Sequence, residues 1–109
     1  MKYFIAEGYF PFLESPAITK ERPILVLTKP LAKYDSLICA FITNKIPTIL
    51  LESDLILENY SNLGLTKKSL VRLHKIVTIE SQFVTGMLNE ISSDQINEIK
   101  KKLNQLFSL

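Results

Sequence analysis

Short apolar runs that end at proline or at polar residues follow one another along most of the chain. The clearest is residues 22–28, Arg-Pro-Ile-Leu-Val-Leu-Thr, which stops before Lys29 and Pro30. Runs of this length, rich in Val, Ile and Leu and bounded by chain breakers, are typical of buried strands. Strands are therefore predicted in five segments, which are residues 3–12, 22–28, 36–43, 47–51 and 69–79.

The period of the apolar residues changes near the C-terminus. Ser92 and Gln95 have the spacing of a capping box, which predicts the start of a helix. The apolar residues of this helix form one stripe, which consists of Ile96, Ile99, Leu103, Leu106 and Phe107. Earlier in the chain, residues 52–66 are predicted to be a polar connection that holds a short helical turn. Strands followed by a terminal helix indicate a mainly β, α+β fold.

Length, charge and cysteine content restrict the class of protein. A chain of 109 residues predicts one domain over residues 1–109, and its net charge of +2 does not by itself indicate a nucleic-acid or membrane surface. The single cysteine, Cys39, lies in an apolar run and is predicted to be buried rather than to act as a ligand or nucleophile. No run reaches the roughly 18 apolar residues that cross a bilayer. Because Glu7 also interrupts the N-terminal apolar stretch, we expect a cytoplasmic protein.

The basic residues are divided unequally between lysine and arginine. Arg22 and Arg72 are the only arginines of a lysine-rich chain, which suggests that their planar, bidentate guanidinium groups are needed. The sequence is equally consistent with both arginines being ordinary surface cations. Alternation along residues 69–79 places Arg72 and His74 on one face, whereas the other face is apolar except for Lys75.

Metal and cofactor chemistry has little support in the sequence, and we expect neither. The chain has one histidine and no pair of closely spaced cysteines. The densest acidic cluster, Glu52, Asp54 and Glu58, lacks the ligand spacing of a calcium loop and is predicted to be solvated. The lysines at 100–102 are likewise predicted to lie on a solvated helix face. No glycine-rich phosphate loop or serine-hydrolase motif is present.

A small polar set at strand ends or on one strand face suits a phosphodiester substrate. Arginines and a hydroxyl stabilise phosphate oxygens that gain charge in the transition state, and histidine exchanges a proton near neutral pH. RNA supplies its own nucleophile, the 2′-hydroxyl, so such a site needs no metal. The alternatives are that the first arginine caps a strand and that the histidine is an ordinary surface residue. The set consists of Arg22, Thr43 with Asn44, Arg72 and His74.

Four motifs, in order along nearly the whole chain, resemble the MazF/PemK toxins. Two departures stand out, because His74 occupies the place of an aspartate that acts as general base in some members, and Asn44 replaces a serine. The matching segments are Phe10-Pro11-Phe12 followed by Arg22-Pro23 and an apolar run, then Cys39-Ala-Phe-Ile-Thr43, then residues 64–79, and finally Gly86-Met-Leu-Asn-Glu-Ile-Ser92.

The resemblance implies a small SH3-like β-barrel of the PemK/CcdB toxin type with a C-terminal α-helix, assembled as a homodimer. It implies a toxin of a type II toxin–antitoxin system that cleaves single-stranded RNA as a sequence-selective, metal-independent endoribonuclease, an mRNA interferase. The inhibitory partner would be an antitoxin with an acidic disordered segment.

The same resemblance assigns roles to individual residues. Arg22 and Thr43 would stabilise the scissile phosphate, Arg72 would act as acid or phosphate clamp, and His74 would stand in for the general base. The residues implied to contact the RNA are Glu21, Asn44 and Lys75.

Two other functions stay open at this point. A gyrase poison of the CcdB type would share the barrel, but the chain contains no tryptophan for the binding tail of that group. The histidine at position 74 also leaves open a catalytically inactive relative that still binds RNA or an antitoxin.

Overall fold

Six strands form one antiparallel sheet in this computed structural model, which describes residues 2–9, 21–31 and 35–108. The strands are β1 (Phe4–Tyr9), β2 (Glu21–Val26), β3 (Ser36–Thr43), β4 (Asp54–Leu57), β5 (Ser69–Glu80) and β6 (Val84–Glu90), and the helix α1 (Ser93–Phe107) follows them. Their order in the sheet is β4-β5-β3-β2-β1-β6. Within the described residues, no helix has the length and apolar character needed to cross a membrane.

The expected fold class is confirmed, but the sheet is open. The edge strands β4 and β6 do not pair with each other within the part of the chain that the structure describes. β4 has four residues and pairs with the first part of β5, up to Arg72. The prediction of a barrel therefore overstates how far the sheet closes.

Alternation along the central strands produces a hydrophobic cluster on each face of the sheet. The helix-side core contains Ile5, Leu25, Ala40, Ile42, Val71, Leu73 and Ile99, among others, and the second core contains Ala6, Ile24, Val26, Leu37, Cys39 and Ile79. The prediction for Cys39 is confirmed, because the residue is fully buried and burial raises the pKa of its thiol to about 12. The thiol stays protonated at neutral pH and is not a nucleophile.

The C-terminal helix begins where the capping box predicts. Ser92 accepts the backbone N–H of Gln95 at 3.1 Å, and the Gln95 side chain accepts the N–H of Ser92 at 3.0 Å. The apolar stripe packs on the sheet through its first turns, whereas Leu106 and Phe107 are exposed at the end of the helix. The prediction of a solvated lysine face is only partly right, since the Lys102 ammonium donates to the Glu52 carbonyl at 2.7 Å.

The predictions for the other strands have mixed outcomes. The segments at 22–28, 36–43 and 69–79 form β2, β3 and β5, and a single helical turn at Tyr60–Leu63 is also confirmed. The strand predicted at 47–51 is wrong, because Ile49, Leu50 and Leu51 are exposed in a loop. The strand lies instead at Asp54–Leu57, where Leu57 enters the helix-side core. Phe10-Pro11-Phe12 and residues 13–20 lie outside the described residues.

Candidate functional site

A bulge in β5 lies at the position where Arg72 and His74 were expected to share a regular face. Ala40 of β3 pairs with Ile76, but the next residue of β3 pairs with Arg72, so the register of β5 against β3 shifts by three residues at this point. The predicted alternation fails here, because Leu73 and Ile76 both pack in or against the helix-side core. A β-bulge changes the direction of nearby side chains, and bulges are common next to functional sites. This bulge leaves His74 at the surface.

A buried carboxylate from the neighbouring strand holds Arg72. Asp54 is the cross-strand partner of Arg72 on β4. Its Oδ1 accepts Nε of the guanidinium at 3.2 Å, and its Oδ2 accepts Nη2 at 3.2 Å and the backbone N–H of Leu51 at 2.8 Å. The Asp54 side chain is fully buried and that of Arg72 is 20% exposed. This bidentate pair sets the plane of the guanidinium.

The acidic cluster was therefore only partly predicted. Glu52 and Glu58 are exposed, as expected, but the expectation that Asp54 is solvated is wrong. Asp54 is also the functional candidate that sequence reasoning missed. The available signal was its place at the head of the apolar strand Asp-Leu-Ile-Leu, where a charged side chain needs a partner.

His74 lies beside this pair. Its Nδ1 is 3.9 Å from Asp54 Oδ1, which is longer than a hydrogen bond but close enough for electrostatic interaction, and its side chain is 31% exposed. Partial burial lowers the pKa of His74 from 6.5, the positive charge of Arg72 lowers it further, Asp54 opposes the shift and Lys75 adds to it. The imidazole is therefore neutral at pH 7 and able to accept a proton.

Arg22 and Thr43 lie on the same sheet face as Arg72. The pairing of Ile24 with Phe41 and of Phe41 with Arg72 puts these three side chains on one face of β2, β3 and β5. If the β2–β3 pairing is extended by two residues, Arg22 lies opposite Thr43 on the same face. Two strand spacings, about 10 Å, separate the backbones that carry the two arginines. Long arginine side chains can span such a gap around one phosphate.

Each of the remaining predicted residues follows or precedes a residue of this site in the chain. Thr43 Oγ1 accepts the N–H of Lys45 at 3.1 Å, which leaves the hydroxyl hydrogen available to a ligand. Asn44 is exposed directly after β3, and the Lys75 ammonium lies 5.4 Å from the centroid of the Phe41 ring. Glu21 is exposed and accepts the Tyr9 hydroxyl at 3.5 Å. Alternation places it on the opposite face of β2 from Arg22.

An open cleft of about 370 Å³ begins at His74 and gives that side chain access to a ligand. The Lys102 contact with the Glu52 carbonyl joins its two walls, α1 and the loop before β4. The lining residues are Leu51, Glu52, Ser53, His74, Lys102, Gln105 and Leu106. Within residues 2–9, 21–31 and 35–108, no group of three or more His, Cys, Asp and Glu side chains is arranged to hold a metal ion.

Comparisons with known proteins agree on one family. The sequence profile of the PemK-like, MazF-like toxins of type II toxin–antitoxin systems matches residues 10–107. The structure is similar to toxin MazF-mt6 of Mycobacterium tuberculosis, with a TM-score of 0.76, 19% identity and 97% of each chain covered. No curated protein sequence matches the chain.

Two further similar structures come from mycobacterial species. An endoribonuclease in complex with its cognate antitoxin has a TM-score of 0.73 at 13% identity, and the match covers 100% of this chain and 95% of that one. A mycobacterial endoribonuclease has a TM-score of 0.71 at 14% identity, covering 100% and 92%. At these identities the likeness shows a shared fold, and the chemistry depends on the residues of the site.

Proposed function

The chain belongs to the PemK-like, MazF-like toxins of type II toxin–antitoxin systems, and on this premise we propose that it is an mRNA interferase. Such an enzyme cleaves single-stranded RNA at selected sequences and so inhibits translation and growth. The observation that carries the proposal is the placement of Arg22, Thr43 and Arg72 on one sheet face, with His74 beside Arg72 and its partner Asp54. Two similar structures are endoribonucleases, which supports this class of activity.

Cleavage would use the 2′-hydroxyl of the RNA as nucleophile. The neutral imidazole of His74 takes the proton of that hydroxyl, the oxygen attacks the adjacent phosphorus, and the bond to the 5′-oxygen breaks. The products are a 2′,3′-cyclic phosphate and a 5′-hydroxyl, whose oxygen takes its proton from solvent, while the His74 imidazolium returns its proton to solvent. No external nucleophile is consumed in this step.

The charged and polar groups of the face would stabilise the phosphorane-like transition state. Arg22 and the Thr43 hydroxyl donate to the non-bridging oxygens, where negative charge increases. Arg72 was expected to act as acid or as phosphate clamp, and its bidentate bond to Asp54 favours the clamp. A guanidinium held by a buried carboxylate keeps its positive charge and presents a fixed edge to the phosphate.

Recognition of the RNA sequence would involve polar residues that are next to the site residues in the chain. Single-stranded RNA exposes base edges and 2′-hydroxyls that polar side chains can bind. Glu21 and Asn44 are exposed at the ends of β2 and β3, and Lys75 follows His74 on β5. We therefore include these three residues as RNA contacts.

The partners follow from the same proposal. One similar structure holds an endoribonuclease with its cognate antitoxin. We propose an antitoxin here too, whose acidic disordered segment orders against Arg22 and Arg72 and blocks the site. We further propose that residues 1–109 form one toxin domain, that two copies form a homodimer and that the protein acts in the cytoplasm. The comparisons give no support to the gyrase-poison alternative.

Cleavage of a mixed-sequence RNA in the presence of EDTA tests the proposal. Because the 2′-hydroxyl supplies the nucleophile, we expect cleavage to persist and to leave cyclic-phosphate and 5′-hydroxyl ends. A single 2′-deoxy substitution at the cut site should abolish cleavage, and the Arg22→Ala protein prepared in the same way is the contamination control. RNA that stays intact with the purified toxin but binds to it would support the catalytically inactive relative instead.

A further inference from the structure

We propose that Asp54 is a positioning residue of this site, whose single buried carboxylate orients both the Arg72 guanidinium and the His74 imidazole. Asp54 lies on β4, outside the set of residues predicted from the sequence to act on RNA. The inference rests on the proposed function, because it assigns the two oriented groups to phosphate binding and proton transfer.

The carboxylate itself is held in place. Oδ2 accepts the backbone N–H of Leu51 at 2.8 Å, and the side chain is completely buried. With Nε and Nη2 of Arg72 bonded to the two oxygens, only the outer edge of the guanidinium is left for a phosphate. An arginine side chain without such a partner would sample many rotamers before each binding event.

Stability alone does not account for this arrangement. A buried ion pair generally contributes no more than apolar side chains of similar volume would, since desolvation offsets the attraction. The remaining residues of β4 are Leu55, Ile56 and Leu57, so Asp54 is the one charged residue of this strand. What an apolar residue would not provide is a fixed direction for Arg72.

The same carboxylate faces the histidine. Its Oδ1 lies 3.9 Å from Nδ1 of His74. A neutral imidazole with a carboxylate on its Nδ1 side carries its hydrogen there, which leaves Nε2 bare as the proton acceptor. The groups that face His74 are Asp54 from β4, Arg72 and Lys75 from β5, and Glu52 and Lys102 across the cleft. Among these groups, Asp54 raises the pKa of the ring from 3.9 Å away, whereas the cations Arg72 and Lys75 lower it.

Measurements on the wild-type protein give the first test. His74 is the only histidine and Arg72 is one of two arginines, so nitrogen NMR resolves each side chain. We expect the neutral ring to carry its hydrogen on Nδ1, and the Nε–H of Arg72 to exchange with solvent at least tenfold more slowly than that of Arg22. A hydrogen on Nε2, or equal exchange at the two arginines, would overturn the inference without any variant.

The Asp54→Asn variant removes the charge and keeps the shape. We expect the pKa of His74 to fall by about 1, the usual effect of losing a nearby opposite charge. The acid limb of the kcat/KM profile should move to lower pH by the same amount, and kcat at pH 7.5 should fall at least tenfold. The matched control is Glu58→Gln, which removes a carboxylate that follows β4, is 74% exposed and pairs with Lys68, and which should change neither quantity.

The outcomes separate the two proposals. A variant with lower activity but an unmoved pKa and pH profile would mean that Asp54 is merely structural. Wild-type protein that leaves RNA intact would refute the proposed function, while the NMR measurements still decide whether Asp54 orients the two side chains. If Asp54→Asn does not fold, the wild-type tautomer and exchange rates decide alone.

Discussion

The two arginines of the site lie in regions with opposite character. In what we call the held region, Arg72 is bonded twice to the buried carboxylate of Asp54 and has His74 beside it. In what we call the open region, at the start of β2 and the end of β3, Arg22 is only partly buried and has no acidic partner among the described residues. One half of the proposed site is thus organised in the free protein, and we expect the phosphate of the RNA to complete the other half.

This difference separates stability from catalysis. A side chain that balances a buried charge contributes to folding as well as to the reaction, because its removal leaves that charge unpaired. A surface side chain that balances no buried charge contributes mainly when the substrate is bound. Matched substitutions in the two regions therefore test the comparison.

The largest expected effect is that of Arg72→Ala in the held region. Truncation leaves the Asp54 carboxylate buried without its cation, so the free energy of unfolding should fall by about 3 kcal/mol and cleavage should be lost. Chemical denaturation and single-turnover cleavage measure the two quantities. A decrease in stability of less than about 1 kcal/mol would show that water reaches the carboxylate and that the region is not held as described.

Replacement of His74 should be the next largest effect, and it should act on the reaction alone. Loss of a general base lowers the rate by about 10²–10⁴, so His74→Ala should be nearly inactive at pH 7.5. Because burial and Arg72 lower the pKa of His74 below 6.5, the wild-type rate should rise with pH through a midpoint below 6.5 and then level off. A rate independent of pH, or a fully active variant, would move the proton transfer to another group.

In the open region, Arg22→Ala should affect catalysis without affecting folding. Loss of one donor to the transition-state phosphate costs about 3 kcal/mol, or a factor of about 10²–10³ in kcat. The free energy of unfolding should stay within about 0.5 kcal/mol of the wild type, as for most exposed substitutions. If Arg22→Ala unfolds as easily as Arg72→Ala, the distinction between the two regions is wrong.

The sequence predicts the residue types and strand positions of this proposed site better than its geometry. Arg22, Thr43, Arg72 and His74 were recognisable as residue types at strand positions, and β3 and the capping box of α1 lie where their local patterns place them. These features depend on residues close together in the chain, where apolar periodicity and capping determine the structure.

The features that were missed depend on contacts between distant segments. The apolar residues 49–51 have the composition of a strand, but no strand in residues 2–9, 21–31 or 35–108 pairs with them, and β4 forms at Asp54–Leu57 instead. The bulge in β5 is defined only by its register against β3. The burial of Asp54 likewise depends on Arg72, 18 residues away in sequence, so its acidic neighbours made it look solvated.

The smallest expected effect concerns the acid sensitivity of folding in the held region. The pKa of His74 is lower in the folded protein than the value of about 6.5 expected in the unfolded chain. As pH falls below 6.5, the unfolded chain takes up a proton that the folded protein does not, so stability decreases until the pH reaches the folded-state pKa. Unfolding free energies measured between pH 7.5 and 5 should fall less steeply for His74→Ala than for the wild type. Equal slopes would mean that the held region does not lower the pKa of His74. The structure would then give no reason why His74 is neutral and able to accept a proton from RNA.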